Sequence, residues 1–416
     1  MFVLNKFGFY LLLLLLSMIP FHFAINEFIS LRYYREIIGV LFSILLLVNL
    51  FHQQYISLKV RKEIFFLVLF PILLTAAVFY DPGVKLYTDD SLLAATKVIN
   101  IDPRIYILRN SFLFLPMILY LAVRGISKEE IRNIAIVSVA IAPFSILVFL
   151  LSLFKTGGLS IFLLAEVAQN PFVFSEYNTY VPYLSFPFIS GIYLLSDKNS
   201  SLLKSLTLIS IAIITIFIFI SSSRQTLLFI AIALFLYLIF DKAKNTKKII
   251  LFSVGTLFIF IAYEWLMSGY ELSNLLVNKY SEGFKTTRLQ VMLDGLQRMD
   301  PFHYLMGSGL TSVVNSGPHN DYIRWVQRVG LLFMIIAFIP YFLVSYKCFI
   351  RLRQREANQV IFMYIWLAIF FILYHSLFGH PREDVYESVW SFLGIAIWLA
   401  YTKQGSNKVI LYNKSN

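Results

Sequence analysis

Apolar runs long enough to cross a bilayer recur along this chain, separated by short basic stretches. That alternation constrains the fold more than any other feature. A helix needs roughly 20 apolar residues to cross about 30 Å of hydrocarbon. Segments near 7–25, 37–51, 64–80, 105–123, 131–154, 180–195, 205–221, 225–240, 249–266, 322–346, 360–378 and 389–402 suit that requirement. The expected fold is an all-α polytopic membrane protein of about twelve transmembrane helices. Residues 1–416 form a single transmembrane domain, and 267–321 form one large external loop. The residue balance agrees, at 59% hydrophobic and 14% charged, where soluble domains run about 45–50% and about 25%. The run from Phe7 has no small-x-small cleavage pattern and reads as a retained first helix. The long run from Leu202 to Phe240 is divided at Ser221-Ser222-Ser223-Arg224. One helix of that length would overshoot the bilayer and bury a central arginine, at a cost of at least about 2.5–3.5 kcal/mol.

Charge placement gives an independent check on the span count. The net charge of +12 could suit nucleic acid, but the cations lie in short loops between spans, as membrane topology requires. No nucleic-acid partner is expected. With both termini cytoplasmic, the inner loops hold Lys59, Arg61 and Lys62; Arg124, Lys128 and Arg132; Lys198 and Lys204; Lys242 to Lys248; and Lys347 to Arg355. Removing one span would move either of the last two clusters outside, against the positive-inside rule. The single cysteine, Cys348, lies in an inner basic loop, so no disulfide is expected. The outer cations are mostly arginine: Arg32, Arg35, Arg104, Arg109, Arg224, Arg288, Arg298, Arg324, Arg328 and Arg382. Topology does not distinguish arginine from lysine, whereas bidentate phosphate recognition does. Two readings stand for these arginines, a phosphate-bearing ligand on the outer face and ordinary interfacial snorkelling.

The longest stretch unsuited to the bilayer interior runs from Thr286 to Arg328. After Arg288, the residues Leu289, Met292, Leu293 and Leu296 fall on one helical face, with Gln290, Asp294, Gln297 and Arg298 opposite. Thr286 or Thr287 supplies an N-cap, and Asp300-Pro301 ends the segment. Such a helix can lie flat in the membrane interface, with Arg288 at headgroup level, or pack on the bundle. The loop then passes Gly307-Ser308-Gly309 and Asn315-Ser316-Gly317 to reach Pro318-His319-Asn320-Asp321-Tyr322. An imidazole there can take a proton from a sugar hydroxyl, or serve as a structural residue at a helix start. His22, His52, His303, His375 and His380 are weaker candidates. No zinc motif and no phosphate-binding glycine loop is present. The halves show no internal repeat and no matched broken helices of the transporter kind.

Taken together, these residues resemble the superfamily of bacterial O-antigen polymerases and O-antigen ligases. The likeness rests on Ser223-Arg224 opening an apolar helix, on Arg288 followed by Gly307-Ser308-Gly309, and on His319-Asn320-Asp321-Tyr322 followed by Gly330. It covers roughly residues 221–340. The tryptophan usual after the loop arginine is replaced by Val291-Met292, and a second glycine usual after Gly330 by Phe333.

The resemblance implies metal-independent glycosyl transfer at the periplasmic face of the bacterial inner membrane, with no cofactor. The donor would be an oligosaccharide on undecaprenyl diphosphate, the surrounding partners membrane lipids, and the protein partners a chain-length regulator and a flippase. Arg224 and Arg288 would match the arginines that hold the diphosphate, and His319 the residue that activates the acceptor hydroxyl. Arg324, Arg328, Asn320, Asp321, Tyr322 and Arg109 are the substrate-binding candidates. Asp321-Tyr322 with Arg324 favours a polymerase, which extends a lipid-linked repeat unit. The alternatives are a ligase acting on lipid A core and a transporter of lipid-linked glycans.

Overall fold

In hydrocarbon, a chain that forms helices satisfies its own backbone groups, and the apolar runs fold accordingly. The structure, a computed structural model, describes residues 2–21, 34–52, 62–80, 104, 108–109, 112–156, 181–197, 200–220, 224–240, 293–310, 320–354, 358–377 and 392–402. No strand occurs among the described residues. The helices are α1 (Phe2–Met18), α2 (Tyr34–His52), α3 (Lys62–Phe79), α4 (Leu115–Arg124), α5 (Lys128–Thr156) and α6 (Ser185–Ser196). They continue with α7 (Ser201–Ile220), α8 (Arg224–Phe240), α9 (Pro301–Met306), α10 (Asp321–Arg353) and α11 (Gln359–His375). A further apolar helix, α12, covers Phe392–Thr402. Six helices among the described residues are long and apolar enough to cross a membrane: α1, α2, α3, α5, α7 and α10. The others, α9 apart, are apolar but shorter. A helix overlaps the described part of each expected span except 249–266, which lies outside the described residues.

The division of the 202–240 run is present as two helices. Both α7 and α8 pack on α6 and touch one another, which a continuous helix could not do. The ends of the helices sort by charge. Lys128 pairs with Asp197 (2.9 Å), joining the start of α5 to the end of α6, and Arg124 pairs with Glu130 between α4 and α5. Ser196 and Tyr237 share a 2.8 Å hydrogen bond, while the Gln359 amide donates to the last carbonyl of α8, that of Phe240. Lys347 meets Glu63 at 2.5 Å, and Arg351 stacks on Phe362 and Trp398. One end of the bundle thus gathers the cations of several short loops, each with an acid or a ring beside it.

Helix α10 is two helices joined at a kink. Gly330 has φ 85° and ψ 167°, a conformation that L residues rarely adopt and that ends the run of i to i−4 bonds. The carbonyls of Gln327 and Arg328 accept instead from the backbone N–H groups of Ser308 (2.8 Å) and Gly309 (3.1 Å). Close backbone approach makes this latch possible. A Cβ on Gly330 would lie 2.0 Å from the carbonyl oxygen of Leu305, and one on Gly307 would lie 2.3 Å from that of Arg328. From Gly330 to Lys347 the helix rises about 25 Å at 1.5 Å per residue. The crossing portion is therefore the part after the kink; Gly330 sits at the far end from the basic cluster, and residues 321–329 turn back beside that portion, Tyr322 packing on Phe338. Gly330→Ala combines a left-handed backbone with a clash against main chain. It should lower stability by about 2–3 kcal/mol or more, read as a drop in melting temperature in detergent, while alanine at the exposed Leu332 should change little.

Candidate functional site

The site is built around the first turns of α10. Asn320 caps the helix, its Oδ1 accepting from the Ile323 N–H at 3.1 Å. Its Nδ2 donates to the Leu377 carbonyl at 3.1 Å. The next backbone N–H, from Asp321, donates to the Ser376 carbonyl at 2.8 Å, and the Tyr322 hydroxyl donates to that of Leu373 at 2.9 Å. The carbonyls left over at the end of α11 thus receive the start of α10. The Tyr322 ring packs on Phe338 with centroids 4.3 Å apart, which fixes the direction in which the helix leaves.

The start of α8 arrives at the same place. Tyr374, on the last turn of α11, donates through its hydroxyl to the Gln225 carbonyl at 2.9 Å, and Phe229 packs against Tyr374 and His375. Ser185, opening α6, lies 3.4 Å from His375 Nε2. Three helix starts therefore meet the end of α11. Arg224 is the first residue of one of them, and His319 immediately precedes the cap of another. The side chain of Arg224, and the whole of Arg288 and His319, lie outside the described residues.

Beyond the cap, Asp321, Arg324 and Arg328 recur at three- and four-residue spacing, which places them on one face of the helix. None is more than 2% exposed, and Gln327 beside them is fully buried. Two guanidinium groups and one carboxylate thus stand inside the protein at the start of α10. Buried charges are tolerated only where partners and hydrogen bonds meet them, and in low dielectric their hold on an anion is far stronger than in water. Trp325, one turn after Asp321, packs edge-on against Phe70 of α3 at 5.3 Å. Two buried hydroxyls flank this turn. Ser308 belongs to the latch on Gln327 and Arg328, and Ser376 holds the Asp321 N–H through its carbonyl. Neither Oγ has a hydrogen-bond partner among the described residues.

Arg109 is placed differently. It pairs with Glu36 at the start of α2 at 3.5 Å, both side chains a quarter exposed. Sequence reasoning put Arg324 and Arg328 at the threshold of a continuous span, whereas they occupy a separate short helix before a kink and are buried. Gln327 and Tyr374 are not marked in the sequence, and Ser308 is marked there only as part of Gly307-Ser308-Gly309, without a structural role. The two glycines around Ser308 signal the latch, because a backbone that must approach another closely requires glycine. Nothing in an apolar run marks Tyr374. His375 is enclosed by Phe229, Phe371 and Tyr374 and serves the packing of this hub.

Helix α9 was not foreseen. Residues 293–297 are helical, as expected for the loop segment, and Asp300-Pro301 does end it. The same pair also opens α9: Asp300 accepts from the His303 N–H at 2.8 Å, and proline stands at the first helical position, where no donor is lost. The His303 backbone N–H, then its ring nitrogen, hold the Asp300 carboxyl below the usual carboxylate range. No protein-family model matches the chain, and no curated protein matches it either.

Proposed function

We propose that this chain is a surface-polysaccharide polymerase of the O-antigen type. It moves a growing glycan from undecaprenyl diphosphate to the sugar of a new lipid-linked repeat unit, at the periplasmic face of the inner membrane. The observation that carries this reading is the meeting of the α8 and α10 starts at the end of α11, because the residues at those starts are Arg224 and the His319-Asn320 pair. Buried Arg324 and Arg328 add fixed positive charge beside that meeting point. The segregation of Arg124, Lys128, Lys347 and Arg351 to the opposite end supports a twelve-span topology with that end cytoplasmic.

The chemistry asks little else of the protein. The bond between the sugar anomeric carbon and the diphosphate oxygen breaks, and a new bond forms to the acceptor hydroxyl. The electron pair leaves on the diphosphate, where preorganised guanidinium groups in a water-poor pocket stabilise the developing charge. The hydroxyl proton passes to His319 as general base. Arg224 and Arg288 contact the diphosphate in this scheme, and Asn320, Asp321 and Tyr322 tie the start of α10, which follows His319 in sequence, to the end of α11.

The test is reconstitution of purified protein in phospholipid nanodiscs with undecaprenyl diphosphate-linked repeat units. A polymerase yields a ladder of longer glycans and free undecaprenyl diphosphate. Product only on added lipid A core would make the chain a ligase. Translocation in liposomes without any lengthening would make it a transporter and overturn the proposal.

A further inference from the structure

Helix α9 has no buried residue. Phe302, Tyr304, Leu305 and Met306 are each between 39% and 58% exposed, so four of the six residues of α9 present large apolar groups outward. Leu293, on the helical segment just before, is exposed as well. A short loop helix with that surface is poorly suited to water, and its attachment shows what covers it. The backbone of Leu305 and Met306 touches Gly330 so closely that a Cβ there would lie 2.0 Å from one and 2.7 Å from the other. Gly330 is where the crossing part of α10 begins. The outward face of that helix carries exposed Leu332, Ile335, Phe342, Tyr346 and Phe349, a stripe at helical spacing of the kind that faces acyl chains. The backbone of exposed Leu305 and Met306 is thus seated where that stripe begins, two residues before Leu332.

From this continuity we propose that α9 is a membrane-contacting element. It lies in the leaflet at the end of the bundle opposite the basic cluster, with Phe302, Tyr304, Leu305 and Met306 among the upper acyl and glycerol groups. Asp300 and His303, paired at 2.8 Å, stay at the headgroup surface. An interfacial helix of this kind gains from apolar burial along one side while keeping its polar residues wet. The latch of Ser308 and Gly309 on α10 then ties the depth of α9 to the height of the buried arginine turn.

The chain has one cysteine, and it is fully buried, so nitroxide labelling can be made site-specific. In a Cys348→Ala background, Phe302→Cys and Tyr304→Cys are labelled, with Arg298→Cys as a comparison, and reconstituted in phosphatidylethanolamine–phosphatidylglycerol vesicles. Labels at 302 and 304 should collide freely with oxygen and be shielded from a nickel chelate at least tenfold more than the label at 298. The unmodified protein supplies a second measurement: a diazirine-bearing phospholipid in the same vesicles should leave adducts on the 301–306 peptide. Nickel accessibility equal to that at 298 would mean that α9 stands in water. Exclusion of both reagents with no lipid adduct would mean that protein, including a second copy of the chain, covers it. Either result overturns the proposal.

Discussion

His319→Ala is expected to stop chain lengthening while leaving the protein in the membrane at wild-type amount. A positioned general base contributes about 10²–10⁴-fold, so residual product should fall to the floor of a reconstituted ladder assay. The cap of α10 is made by Asn320. Its side chain accepts from Ile323 and donates to Leu377, and both bonds survive in the variant. Unchanged melting temperature together with lost lengthening separates a chemical role from a structural one. A ladder of normal length in His319→Ala would remove the imidazole from the mechanism.

The second large effect is expected from arginine-to-lysine exchange at the buried turn. Arg324→Lys and Arg328→Lys keep the charge beside Asp321 and avoid leaving a carboxylate alone in the interior, an outcome that costs about 3–5 kcal/mol. What they remove is the planar fork. Loss of one preorganised donor to a developing oxyanion costs about 10²–10³ in rate, and each lysine variant should lose activity on that scale with modest loss of stability. Arg109→Lys serves as the contrast. That guanidinium is partly exposed and already paired with Glu36, and exposed pairs contribute about 0–1 kcal/mol, so little should change. Normal turnover in both buried variants would mean that these arginines support the fold and not the leaving group.

Much of this architecture can be read directly from the chain. Hydrocarbon leaves a spanning segment little choice, so runs such as 37–51 and 131–154 appear as α2 and α5 within a few residues. The serine-arginine break before α8 is equally legible, since a buried arginine in mid-bilayer is expensive. The grouping of Arg124, Lys128 and Lys347 at one end follows from the same topology rule. The kink at Gly330 is not legible, because a glycine in an apolar run fits either a straight or a broken helix. What decides it is a contact with Leu305 and Met306, a segment distant in sequence. Burial of Arg324 and Arg328 is hidden for a related reason. Their spacing puts them on one face, but that face is enclosed by elements far away in the chain. Asp300-Pro301 shows how one local signal serves two purposes, since the proline that stops one helix is placed to start the next.

We propose that Arg224 and His319, nearly a hundred residues apart, face one outward-facing pocket. Paired cysteines test that directly: Arg224→Cys with His319→Cys in a Cys348→Ala background, in intact inner-membrane vesicles of known orientation. A short bismaleimide should join the two within one chain, and a membrane-impermeant maleimide should block the reaction from the periplasmic side alone. Failure to cross-link in the folded protein, or blocking only from the cytoplasmic side, would contradict a shared periplasmic site.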